Sequence, residues 1–190
     1  MVRVITPPAE EPVTLAQAKL HCKEETNAQD TLIDDAITTA REYCEGVQNR
    51  AYITQTLAIT LDRFPVTPFE LPRPPLQGSV VITYLDEDGT PHTIPAADYV
   101  VDPNGFKGRI ALKRSAAWPS VTLREIGAVT IQFVAGYGDT AAAVPNKVKQ
   151  AMLLLVGDMY RFREASIDVV THETFLTVDI LLGFDRVWPI

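Results

Sequence analysis

The sequence predicts an α+β fold: a small helical bundle of three main helices, an inserted antiparallel β-sheet and hairpin region, and an extended C-terminal tail. Three observations predict it. One apolar stripe with the helical period runs through residues 32–47. At residue 51 the pattern changes to alternation rich in β-branched residues. At Pro145 a helical pattern returns. The chain has 190 residues, a length that fits one domain able to bury roughly 70% of its unfolded surface. The expected division is a single α+β domain over 1–165 and a docking tail over 166–190. Within the domain, helices fall at about 14–24, 28–48 and 145–164, and the β-rich insertion at about 51–138.

Each element has a local reason. Residues 1–13 are proline-rich and read as extended. Thr14 and Gln17 in "TLAQ" have the spacing of a capping box, which starts the first helix. In the second helix Leu32, Ile33, Ala36, Ile37, Ala40, Tyr43, Cys44 and Val47 form the stripe. Asp34, Asp35, Arg41, Glu42 and Glu45 are expected on the opposite face, solvated or turned to a neighbouring subunit. "AYITQTLAITLDRF" alternates and reads as a strand. "PVTPFELPRPPL" carries five prolines, which exclude a central strand because each removes a ladder donor. "SVVITYLDEDGTPHTIP" reads as a hairpin around an Asp-Gly turn. "DYVVDPNGFKGRIAL" reads as a strand pair around Pro103-Asn104-Gly105, and "AVTIQFVAGYG" as the last strand. Pro145 suits a helix start, where its missing N–H costs nothing. The helix that follows is apolar on more than one face, so it is either a central core helix or one that also meets another subunit.

The tail, 166–190, has no clear period. It holds Phe175, Leu176, Ile180, Leu181, Leu182, Phe184, Trp188 and Ile190. Twenty-five residues cannot build a core of their own. The residues leave open whether the tail docks on its own domain, on a neighbouring copy or on another protein.

Composition excludes several function classes. No run of about 18 apolar residues exists, so no membrane span is expected. The N-terminal residues lack a signal core, so secretion is not expected. Two cysteines, Cys22 and Cys44, both in predicted helices, do not make a disulfide scaffold. The net charge is −7, and no basic stripe of the kind that neutralises phosphates is present. The nearest group is Lys107, Arg109, Lys113 and Arg114, which reads as a solvated strand surface.

Chemical motifs fail on inspection. Gly136-Tyr137-Gly138 lacks the lysine pair of a phosphate loop, and Ala141 stands where a dinucleotide fingerprint needs its third glycine. The glycines therefore read as the end of a strand. "DEDG" at 86–89 resembles the start of a calcium loop, but the last-position glutamate is replaced by Ala97. His21, His92 and His172 show no metal-ligand spacing. Adjacent carboxylates such as Asp34 and Asp35 diverge on a helix. The reading is no enzyme, with no catalytic, cofactor or metal residues.

The order of segments carries a resemblance. "PVTLAQAKLHCK", "DTLIDDAITTAREYCEGVQNRAYITQTLAITLDRFP", "LPRPPLQGSVVITYLDEDGT", "YVVD", "WPS", "VTIQFVAGYGD", "VPNKVKQAMLLLVGDMYRFRE" and "DILLGFDRVWPI" follow one another. The set resembles the head–tail connector (adaptor) proteins of tailed bacteriophages and related prophage or gene-transfer particles, over nearly the whole chain. The resemblance implies a portal-associated ring, commonly of twelve copies, at the head–tail junction of a virion made in a bacterial cytoplasm. It extends the DNA channel and joins head to tail. The implied partners are the portal protein, other copies of the chain, the next neck or tail-completion protein, and double-stranded DNA that passes without specific binding; no membrane is involved. No catalytic residues carry over. The expected partner-binding anchors are Phe175, Leu181, Leu182, Phe184 and Trp188, because large apolar and aromatic groups dominate interface energetics. The alternatives are a virion or host binding module that forms no ring, and a packaging-associated hydrolase.

Overall fold

The computed structural model describes residues 2–162, 171–183 and 185–188. Among them are four α-helices and two antiparallel sheets, of five and three strands. The chain divides into two compact units, Met1–Pro8 with Thr54–Gly136, and Ala9–Ile53 with Tyr137–Ile190.

The first unit is the β unit. Its strands are β1 (Val2–Thr6), β2 (Gln55–Leu61), β3 (Phe69–Glu70), β4 (Leu76–Leu85), β5 (Pro91–Thr93), β6 (Tyr99–Asp102), β7 (Arg109–Leu112) and β8 (Val129–Ala135). The larger sheet has the order β1-β2-β8-β4-β5, the smaller β3-β7-β6. Alternation decides which residues go inside. Val129, Ile131, Phe133 and Ala135 of β8 are buried, while Gln132 is exposed. Register then stacks the apolar rows. Ile131 lies between Ile59 and Ile82, and Phe133 between Leu57 and Val80, so each cross-strand row is continuous over three strands. The smaller sheet adds Ile110 and Tyr99 to the buried set, and the Tyr99 hydroxyl donates to the Val80 carbonyl at 2.7 Å. The predicted hairpin is β4–β5. The Asp86 carboxylate accepts from the amides of Asp88 and Thr90 and closes the turn.

The second unit is helical: α1 (Leu15–Cys22), α2 (Asp30–Gln48), α3 (Asn146–Arg161) and α4 (Thr171–Gly183). The capping box forms as the spacing predicts. Thr14 Oγ1 accepts from the Gln17 amide at 3.3 Å, and Gln17 Oε1 accepts from the Thr14 amide at 3.0 Å. The α2 stripe buries Ile33, Ile37, Ala40 and Cys44. Helix α3 buries Val148, Ala151, Met152, Leu155 and Val156, half-buries Leu153, Leu154 and Met159, and packs on each of the other helices.

Several expectations change. The helices number four rather than three, and the C-terminal segment is not extended: α4 is a helix whose Val178 and Leu182 are buried in the helical core. Consecutive β-branched and apolar residues hide its period, and packing on α3 supplies the stability that local propensity does not. The insertion forms two sheets, and β1, which reads as plain extended chain, joins the larger one through β2. Arg41 and Glu45 are not solvated but 7% and 2% exposed. The physical reason is mutual: Arg41 lies 3.2 Å from Glu45 and 2.9 Å from Glu11, and paired ions tolerate burial where single ones do not.

Candidate functional site

The strongest constellation lies where α2 ends and the C-terminal segment returns. Four polar groups of α2's last turn and the following residues clasp that segment. Gln48 is fully buried and bridges two partners. Its Nε2 donates to the Leu182 carbonyl at 2.7 Å, and its Oε1 accepts from the Tyr52 hydroxyl at 2.8 Å. Its main-chain carbonyl accepts from the Val187 amide at 2.9 Å. Asn49 Nδ2 donates to the Val187 carbonyl at 3.3 Å, and Arg50 Nε to the Asp185 carbonyl at 2.7 Å. The Asp185 carboxylate pairs with Lys147 at the start of α3. Asn49 itself ends α2 in the left-handed conformation, φ 53°, which asparagine tolerates better than most residues.

Beneath this clasp sits the ion group. Glu45 accepts from Arg41 through one oxygen and from the Tyr52 amide, at 2.8 Å, through the other. Burial, with the Glu45 charge adding to it, pushes the Tyr52 phenol far up, so it stays a neutral donor to Gln48.

The five expected anchors divide. Leu182 is fully buried and Leu181 half-buried against the helical core. Trp188 is 67% exposed, and the Arg186 guanidinium lies 4.4 Å from its ring centre, a cation–π contact that holds the ring without covering it. Phe175 falls within α4, and its side chain lies outside what is described; Phe184 lies outside the described residues altogether. Ile180, outside that set of five, is 59% exposed on α4. The residues missed by sequence reasoning are Gln48, Asn49 and Arg50. Their signal is a polar Gln48 four residues beyond Cys44 on the buried stripe.

Among the described residues no cluster of three His, Cys, Asp or Glu side chains could hold a metal. Burial raises the Cys44 thiol to about 12, which keeps it protonated and unreactive at neutral pH. His92 bonds Asp86 at 2.8 Å beside the β4–β5 turn. Of the basic group in the β unit, Arg109 is paired with Asp102 at 2.6 Å and Lys107 with Glu70 at 3.1 Å. Neutralised cations of this kind offer little to a phosphate backbone. Gly136 ends β8 at φ 142°, and a Cβ on Gly138 would meet the Ala143 side chain at 2.7 Å. Turn and close approach account for both glycines. No described helix is long and apolar enough to cross a membrane.

With this geometry in hand, the solved structures give the comparison that matters. A chain of the virion of a native gene transfer agent particle has the same fold. It matches at TM-score 0.80 and 22% identity, with 100% of this chain and 97% of that one covered. A chain from the neck of the empty particle, computed with C6 symmetry, matches at TM-score 0.82 and 21% identity. A chain from the neck of the native particle, computed with C12 symmetry, matches at 0.75 and 22%. Coverage is again 100% of this chain and 97% of theirs. No protein-family model matches the chain, and no curated protein does. Both units and the C-terminal segment thus fall within one shared full-length fold.

Proposed function

We propose that this protein is a structural head–tail adaptor of a tailed phage or phage-like particle. Copies of it close into a ring beneath the portal, twelve in the particle, and extend the DNA channel toward the next neck component. The observation that carries the reading is the full-length fold match to chains of gene transfer agent necks. The order of segments along the sequence supports it independently. A net charge of −7 supports a channel that passes DNA with little adhesion, since like charges repel. The C-terminal segment is the portal-docking element. Leu181 and Leu182 hold it to its own unit, Trp188 is the side chain presented to the partner, and Phe175 and Phe184 complete the apolar set. Partner contacts of this kind concentrate in a few exposed aromatics.

Electron microscopy of portal assemblies mixed with the protein tests the reading. Closed collars on the portal are expected, and bare portals at saturating protein overturn it. Trp188→Ala is expected to abolish decoration and to leave unfolding within about 0.5 kcal/mol of the parent, as exposed substitutions do. Unchanged decoration removes Trp188 from the contact while leaving the ring reading in place.

A further inference from the structure

We propose that the outer edge of β1 receives an extended, acidic segment of a second protein, added to the larger sheet as a sixth strand. A sheet edge presents alternating N–H and C=O groups, and only another extended backbone matches all of them. Native sheets blunt such edges with prolines, short strands or inward charges. The edges of this protein differ in how far they are blunted.

β5 is closed. The Ile94 amide donates to Ile82, and the Asp86 amide to Thr90. Residues 90, 92 and 94 therefore face β4, and Pro91 and Thr93 face outward. Pro91 has no N–H, so a single donor remains. β3 is two residues long. β1 has five residues and, among the described residues, no strand on its outer side. It contains no proline and no lysine. Its register with β2 is regular over Val2–Val4 and shifts only between Val4 and Thr6. Val4 and Ile5, neighbours in sequence, are 47% and 42% exposed. A strand added alongside would cover part of both apolar side chains while it pairs with the open backbone groups.

Charge specifies the occupant further. Arg3 is exposed and has no ionic partner among the described residues. A carboxylate opposite it satisfies the cross-strand rule for opposite charges. The ring reading, on which this choice of occupant rests, argues against a second copy. Copies in a ring meet head to tail, so β1 of one must face a different edge of the next. β5 is blocked by Pro91, β3 is too short, and the one carboxylate of β6, Asp102, is held by Arg109. None of these described edges suits β1 of a neighbouring copy, and the occupant proposed is a different polypeptide.

Two measurements on the full-length protein test this. The first follows amide exchange of residues 2–6 with the peptide acetyl-Thr-Val-Glu-Val-Thr-Val-amide. Exchange is expected to slow about ten-fold, because strand addition ties the outward amides into a ladder. A peptide with Lys for Glu should protect less, one with a central Pro not at all, and Arg3→Glu should reverse the Glu/Lys preference. Exchange that no peptide alters, or that all three alter equally, overturns the proposal. The second places a photoreactive side chain at Ile5 and irradiates assembled particles. An adduct with a different polypeptide supports the proposal; an adduct with this chain only, or none, overturns it. Imaging of the same particles reports the ring separately, so a closed collar without the adduct sinks the inference and spares the ring.

Discussion

The two units keep their interiors in order by different means. The β unit does it with alternation. Ile131 and Phe133 on β8 meet Ile59, Leu57, Ile82 and Val80 from both sides, and its charged pairs, such as Arg109–Asp102, stay at the surface. The helical unit carries polar chemistry inside. Arg41, Glu45, Gln48 and Tyr52 are all buried within one stretch of chain, and Gln48, held by Tyr52, bonds the returning C-terminal segment at Leu182. An apolar core stabilises by area and tolerates some rearrangement. A buried polar group instead demands its partner, and it fails when that partner goes. The comparison says where each unit is fragile.

The largest expected effect is at Glu45. Glu45→Ala leaves buried Arg41 with Glu11 as its remaining close counter-ion and the Tyr52 amide short of an acceptor. It is expected to cost about 3 kcal/mol, the low end for loss of one member of a buried pair, because Glu11 stays beside Arg41. Phe133→Ala in the β unit is expected to cost a similar amount by leaving a cavity. The two should part in a rescue test. Arg41→Met with Glu45→Gln removes both charges and keeps an acceptor for Tyr52. In urea unfolding this double variant is expected to lie closer to the parent than Glu45→Ala does. If the double variant is the less stable of the two, the ion pair contributes more than mutual satisfaction and the comparison is wrong.

Gln48 comes next. Gln48→Leu keeps the volume and removes one donor and one acceptor. The Leu182 carbonyl and the Tyr52 hydroxyl lose their partner together, at an expected cost of about 2 kcal/mol. The local consequence sharpens the contrast more than the stability does. The Val187 amide, bonded to the Gln48 carbonyl, should exchange faster in the variant, while amides of β8 should not change. Equal acceleration in both places would mean that the clasp has no local role. The same clasp forbids a simple test of the C-terminal segment by truncation. Val178, Leu182 and Val187 are buried, so deleting them removes core, and Trp188→Ala is the variant that separates docking from folding.

What the sequence makes legible follows from the same contrast. Alternation is a local signal, and β2, β4, β8 and both hairpins stand where the pattern places them. The capping box at Thr14 is likewise local and readable to the residue. β1 escapes because it is five residues long, breaks alternation at Val4 and Ile5, and runs straight into prolines. The buried ions escape any reading that equates charge with exposure. Yet Arg41 and Glu45 continue the four-residue spacing of Ile33 and Ile37, and that row is the available clue. Helix α4 has no such clue. Val178 and Leu182 are four apart and buried, but Ile180 and Leu181 between them blur the stripe, and only the surface of α3 resolves which of them turns inward. Of the candidate site, only the apolar content of the C-terminal segment can be read from the sequence. The clasp that holds it depends on contacts far apart in sequence, which no local pattern records.

The smallest expected effect concerns acid, and it tests whether the polar habit of the helical unit extends to its surface. Glu24, in the turn after α1, accepts from the Thr26 hydroxyl and amide and from the Tyr160 hydroxyl at 2.5 Å. These bonds hold its carboxyl down at about 2, against 4.5 for the free group. A carboxyl lowered in the folded state stabilises it in full above the unfolded value, and that contribution fades as pH falls from about 4.5 toward 2. The site is open to solvent, so the contribution is small and sensitive to salt. Asp86 and Asp102 are lowered in the same direction in the β unit, by His92 and by Arg109. Glu24→Gln keeps an acceptor for Thr26 and Tyr160 but cannot titrate. Helical unfolding followed by circular dichroism should therefore lose less stability between pH 5 and pH 2.5 in the variant than in the parent. The β-sheet signal should keep its acid dependence in both. A variant whose helical signal falls with acid as steeply as the parent's would place the acid-labile carboxylate elsewhere in the helical unit.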